Sequence, residues 1–238
     1  MPIFLQNIID NLVNSFNITF IVDNRYLSFI EGLGNTLLIT FFATMIGIFI
    51  GMLVAVSKIY TLQTGKLKIL NKFTSLYLTV IRGTPVLVQL LIMYFIIFGS
   101  IKNPLPAAII TFGLNSGAYV SEIVRAGIMS IDKGQAEAGR SLGLSQGTTM
   151  RYIVMPQAIK NILPALGNEF IVLLKETSVA GAYLSIVDIT KAGTMVQSRT
   201  YEAFFPLITV ALIYLVLVLG ISKLLKMLEM RFAKSDRR

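Results

Sequence analysis

Residues 132–156 read DKGQAEAGRSLGLSQGTTMRYIVMP, the longest polar run between otherwise apolar segments. Asp132 can accept the free N–H groups of a helix start, and so cap a helix carrying Ala136, Glu137, Ala138 and Arg140. Gly143 can end that helix, because glycine takes the left-handed conformation a helix C-terminus favours. Ser145 can cap a second short helix that carries Met150, Tyr152 and Ile153 toward Pro156. The stretch is too polar to cross a bilayer. It sits at a membrane surface and offers a compact helical pair to something outside the lipid.

The rest of the chain supplies the membrane. Of 238 residues, 55% are hydrophobic and mean hydropathy is +0.74, a membrane-protein composition. There is no cysteine, histidine or tryptophan, which excludes a Cys/His zinc site and His-dependent nucleophile machinery. Nothing in the chain depends on an oxidising compartment.

Working outward, the charge-free stretch Gly32–Ser57 reads as a first span, with Gly47 and Gly51 spaced for close helix approach. A second runs from about Phe73 to Gly99, interrupted at Arg82-Gly83-Thr84-Pro85. Pro104–Ile131 is the third, again with two glycines, Gly113 and Gly117, four apart. Met155–Leu174 is the fourth; Lys160, Pro164 and Glu169 inside it require protein or water beside them. Ala203–Ser222 is the fifth. The N-terminal segment has apolar residues at helical spacing, among them Ile8, Leu12 and Phe16, and reads as interfacial. The chain thus divides into an interfacial segment, 1–28, a transmembrane domain, 29–231, and a basic tail, 232–238.

The formal charge of +9 is explained by topology. One face collects fifteen of the 21 basic residues, in the Lys58–Lys72 connector, around 125–160 and in the tail. Five fall opposite, and Arg82 stays inside the second span. The positive-inside rule puts the crowded face in the cytoplasm, with the N-terminus outside, the C-terminus inside and the 132–156 pair in the cytoplasm. Anionic lipid headgroups account for the excess charge, and nucleic acid is an unnecessary partner.

Here a family resemblance enters. Glu137-Ala138-Gly139, three residues, Gly143, nine residues, Ile153, one residue, Met155-Pro156 resembles the EAA motif of ABC-importer membrane subunits. Gly139 stands where the motif has alanine and Met155 where it has leucine. RGTPVLVQL (82–90), GAYVSEIVRAGI (117–128) and KETSVAG (175–181) resemble the polar amino acid branch of those importers. The resemblance implies an all-α type I, MetI-like permease fold working as a pair, identical or related, a homodimer being the expectation. Partners would be two cytoplasmic ATPase subunits, which hold ATP and magnesium, and an external solute-binding protein. It implies alternating access in a prokaryotic cell membrane, with Glu137, Ala138, Gly139, Arg140, Gly143, Ile153 and Pro156 docking on the ATPase. The chain itself carries no cofactor motif, and Gly65-Lys66 lacks the rest of a phosphate-binding loop.

Several residues are candidates for the substrate. Thr84 suits an N-cap and Pro85 a first helical position, so the second half-helix would start with a positive dipole end, suited to a carboxylate. The alternative is a packing kink. Asn115, Tyr119 and Glu122 share a helical face. Glu122 could take the substrate's ammonium or a cationic side chain, or pair with Arg125 three residues on. Ser121 is a lesser candidate, since serine in a span often bonds its own helix. Gln89 faces the cavity or bonds between helices; Asp188 caps a turn or adds a second negative charge. Asn161, Asn168 and Lys175, seven apart, read as a subunit seam in preference to a path. The two acids favour arginine, lysine or histidine over glutamine. A secondary transporter, working without an ATPase, is the alternative; a membrane-embedded enzyme finds little support.

Overall fold

The computed structural model describes residues 3–235, with side chains described for all of these except 3–5, 8 and 232–235. Residues 236–238 of the expected basic tail lie outside the described residues. The described residues form helices and turns only.

In order, α1 (Ile3–Phe16) and two short turns lead into α2 (Tyr26–Thr64). At 39 residues, α2 is about 58 Å long, against a hydrocarbon core of roughly 30 Å. The span expected at Gly32–Ser57 is therefore the middle of a longer helix, and the boundary read at 28 falls inside it. No glycine–proline break interrupts α2, and Gly65, at φ +67, closes it with its N–H on the Thr61 carbonyl. Then come α3 (Lys68–Gly83) and α4 (Val86–Ile92), the latter continued by a π-type turn, Met93–Ile97. α5 (Leu105–Met129) leads to α6 (Lys133–Ser141) and α7 (Gln146–Thr149). A π-type turn at Met150–Val154 runs α7 straight into α8 (Met155–Glu176). The chain ends with α9 (Ser178–Leu184), α10 (Ile189–Thr200) and α11 (Phe204–Ser235).

Among the described residues, three helices, Tyr26–Thr64, Leu105–Met129 and Phe204–Arg231, are each long and apolar enough to cross a membrane. Taking each bent pair as one span, Lys68–Gly83 with Val86–Ile97 and Gln146–Leu184 with Ile189–Thr200, brings the number to five.

The centre is the α2–α5 seam. A Cβ on Gly51 would lie 2.5 Å from Val120 Cγ1, and one on Gly47 2.9 Å from Ser116 Oγ. Reciprocally, a Cβ on Gly113 would lie 2.7 Å from Ile46 Cγ2, and one on Gly117 3.1 Å from Ile50 Cγ2. Each helix uses its glycine pair to receive the other's side chains, so the backbones come close enough for dense van der Waals contact. α3 is tied to the same place: the Tyr77 hydroxyl donates to the Leu114 carbonyl at 2.5 Å. Toward one end of α5, Phe112 packs with Ile39, Leu90, Leu173 and Leu184. Toward the other, Val124 and Ile128 pack with Ala55, Val154, Ala158 and Ile162.

Candidate functional site

At the break, Thr84 and Pro85 are extended and α4 leaves α3 at 108°. Thr84 does not cap α4. Its hydroxyl turns back and donates to the Val80 carbonyl at 2.8 Å, while Pro85 stands at the N-cap and the helix begins at Val86. A turn this sharp puts the Thr84 side chain over the end of α3, where unpaired carbonyls need donors. Gln89 meets the same need. Its Nε2 lies 2.8 Å from the Ile81 carbonyl, 3.0 Å from the Thr84 carbonyl and 2.8 Å from Thr84 Oγ1. Asn115 Nδ2 donates to Gln89 Oε1 at 3.0 Å, tying the broken helix to α5.

Further along the same face of α5, Tyr119 is 41% exposed, and the Arg82 guanidinium lies 5.7 Å from its ring centroid. One turn on, Glu122 pairs with Arg125 at 2.7 Å, both partly exposed. The structure thus brings Thr84, Gln89, Asn115, Tyr119 and Glu122 to one side of the molecule. Thr84 and Tyr119 are exposed there, Gln89 and Glu122 partly so, and Asn115 is buried beneath them at 4%. Of the two alternatives for Glu122, the ion pair is the one the fold forms, and the carboxylate stays partly exposed. Arg82, left without a role by sequence reasoning, belongs to this face; its signal was a charge inside a span.

Ser121 and Asp188 are not brought to it. Ser121 is buried and donates to the Ala118 carbonyl of its own helix at 2.8 Å. Asp188 is fully buried, accepting from the Lys191 N–H at 2.8 Å as the N-cap of α10, with the Tyr214 hydroxyl 3.4 Å away. The turn is packed so closely that a Cβ at Gly32 would lie 2.6 Å from the Asp188 carbonyl oxygen. The capping alternative for Asp188 is the one the fold adopts. In α8, Glu169 accepts from Ser116 at 2.8 Å and Asn161 donates to Ser130 at 2.9 Å, while Asn161, Asn168 and Lys175 are exposed on the single chain.

The polar stretch is assembled as its caps require. Asp132 accepts from the Gly134 N–H at 2.6 Å, and Ser145 from the Thr148 N–H at 3.2 Å. Gly143, at φ +77, ends α6, with its N–H on the Arg140 carbonyl and the Leu144 N–H on that of Gly139. The second helix, however, is not a separate short one. No break stands between Thr149 and Met155, and Pro156, which has no N–H to give to a regular helical ladder, follows directly on the π-type turn Met150–Val154, where that ladder is already interrupted. Ile153 and Pro156 are therefore the foot of a long helix. Gly139 is buried against that foot: a Cβ there would lie 2.7 Å from Thr149 Cγ2 and 3.0 Å from Ile153 Cδ1. Gly139 and Thr149 together fill the space that an alanine would share with a smaller neighbour. Glu137, Ala138, Arg140 and Gly143 are exposed, and Leu142, at the tip, is 79% exposed. Sequence reasoning passed over Leu142, although an apolar residue between Ser141 and Gly143 in a polar turn was a signal.

Comparison with known proteins gives the same direction. The family described as "Binding-protein-dependent transport system inner membrane component" matches residues 47–234. A crystal structure described as an amino acid ABC transporter with histidines is 45% identical, with a TM-score of 0.80, covering 89% of this chain and 98% of that one. A Rickettsia typhi protein, provisionally named as the glutamine transport system permease protein GlnP, is 42% identical over 86% of this chain and 93% of its own. The arginine transport system permease protein ArtQ of Bacillus subtilis is 38% identical over 87% and 93%. Both relatives are named as permease proteins of amino acid transport systems. With its helical fold, its exposed α6–α7 surface and this match, the chain belongs to the inner membrane components of binding-protein-dependent transport systems.

Proposed function

We propose that the chain is the permease subunit of an ATP-driven importer of polar amino acids. The observation that carries this is the α6–α7 unit, clamped through Gly139 onto the foot of α8 and exposing Glu137, Arg140 and Leu142 at one end of the bundle. A rigid protrusion continuous with a span can carry movement from a motor to a gate. Two ATPase subunits with ATP and magnesium grip it from the cytoplasm of a prokaryotic cell, and a second copy of the chain completes the path. Five spans put the N-terminus outside and the C-terminus inside. The exposed Asn161–Asn168–Lys175 stripe serves as the subunit seam.

Within the path, Glu122 receives the substrate's ammonium when Arg125 releases it, Asn115 and Tyr119 line the same face, and Thr84 and Gln89 hold the break in shape. For the side chain, the pairing of Glu122 with Arg125 and the capping by Asp188 occupy both acids that favoured a basic amino acid. This supports a neutral polar substrate such as glutamine as the second reading; relatives named for glutamine and for arginine accord with either.

The decisive experiment replaces Glu137 by Arg in the complex reconstituted in vesicles. Uptake should fall at least about tenfold, a coupling loss of roughly 1.4 kcal/mol or more, while the spans stay folded and the ATPase still hydrolyses ATP. Wild-type coupling in this variant would remove the docking role, and uptake without nucleotide would favour a secondary transporter.

A further inference from the structure

A recess of about 420 Å³ opens between the end of the broken helix and the α9–α10 turn. Tyr94, Lys102, Tyr183 and Ser185 line it with polar groups, and Phe95 and Pro104 give it apolar walls. Its position follows from the chain path. Traced back from the coupling region, α5 ends at Pro104, about 37 Å away at 1.5 Å per residue. Traced forward, α8 and α9 end at Ser185. The recess therefore lies at the opposite end of the molecule from Glu137.

Its chemistry is one-sided. Among its described lining residues Lys102 is the one charge, and the Tyr94, Tyr183 and Ser185 hydroxyls can all donate. No acid lines it. A free amino acid seated here would leave its ammonium beside Lys102 with no carboxylate to receive it. A carboxylate without a neighbouring ammonium, on an aspartate or glutamate side chain, finds charge-assisted donors. Its methylenes find Phe95 and Pro104.

We propose that this recess receives an acidic side chain of an external protein partner, the solute-binding subunit. The inference rests on the permease reading for the existence of that partner. Tyr94 and Leu184 pack in the same core as Leu90 and Phe112, so a partner seated here bears on α4, the half-helix that carries Gln89.

The test uses the reconstituted complex and its cognate solute-binding protein, loaded with amino acid. Lys102→Glu should raise the half-saturating concentration for stimulation of ATPase activity about tenfold and flatten its salt dependence, as loss of a steering charge does. Lys102→Gln should raise it less, and basal hydrolysis without the binding protein should match wild type. Saturation of Lys102→Glu at the wild-type concentration overturns the proposal. So does an equal loss of direct amino-acid binding measured with no binding protein present, which would make the recess a substrate site. Failure of the wild-type complex to respond to any loaded binding protein overturns the permease reading, and this inference with it.

Discussion

On one side of α5, Gly113 and Gly117 admit Ile46 and Ile50 of α2, while Ser116 and Val120 fill the gaps left by Gly47 and Gly51. On the other side, Asn115, Tyr119 and Glu122 reach toward a broken helix and an open surface. The first contact is close-packed, with no room for one more carbon. The second is made of hydrogen bonds, a ring contact and an ion pair, each able to open and re-form at small cost. One helix thus carries a fixed seam on one face and an exchangeable polar surface on the other. A transporter needs both, because a moving part must be held by something that does not move.

Breaking the seam should do the most damage. Gly113→Val puts two methyls where Ile46 Cγ2 is already 2.7 Å from a single Cβ. Overpacking of this kind costs about 1–3 kcal/mol or more. Thermal unfolding of the detergent-solubilised complex should show a markedly less stable protein, with uptake and ATPase stimulation lost together. A stable, active Gly113→Val variant would mean the seam is looser than drawn.

The open face should respond differently. Glu122→Gln keeps the shape and removes the charge, and a hydrogen bond to a charged group contributes about 1.5–3 kcal/mol. Amino-acid affinity, read by uptake or by calorimetry on the purified complex, should weaken by about tenfold or more with assembly unchanged. Unchanged affinity would assign Glu122 to the Arg125 ion pair alone.

The smallest expected effect is at Gly139, where the α6–α7 unit repeats the seam's logic on a lesser scale. Gly139→Ala restores the alanine of the family motif yet meets Thr149 Cγ2 at 2.7 Å. Uptake should fall two- to threefold, a difference of about 0.5 kcal/mol, and the double variant with Thr149→Ala should recover it. Equal activity of single and double variants would show that the Gly139 contact does not transmit movement.

The polar stretch at 132–156 was legible because its signals are local. Asp132, Gly143 and Ser145 act on backbone groups within a few residues, and each does in the fold what its type implied. The glycine pairs were legible because small residues four apart on an apolar helix invite one kind of contact. The break at Arg82–Pro85 was legible as a break, but not its geometry. Thr84 has two ways to satisfy backbone, forward onto α4 or back onto α3, and local sequence favours neither. The 108° turn and the reach of Gln89 decide for α3.

By itself, then, the sequence determined three segments apolar enough to cross a membrane on their own, where the second of the five expected spans breaks, and which polar stretch stays at the surface. These follow from hydrophobic transfer and backbone hydrogen bonding, which act residue by residue. Only the tertiary structure decided that Asp188 is a buried cap and Ser121 a self-bonded core residue, and that Arg82 lies over Tyr119. A carboxylate or hydroxyl carries the same chemistry wherever it stands. Its use depends on which groups from distant parts of the chain are packed against it.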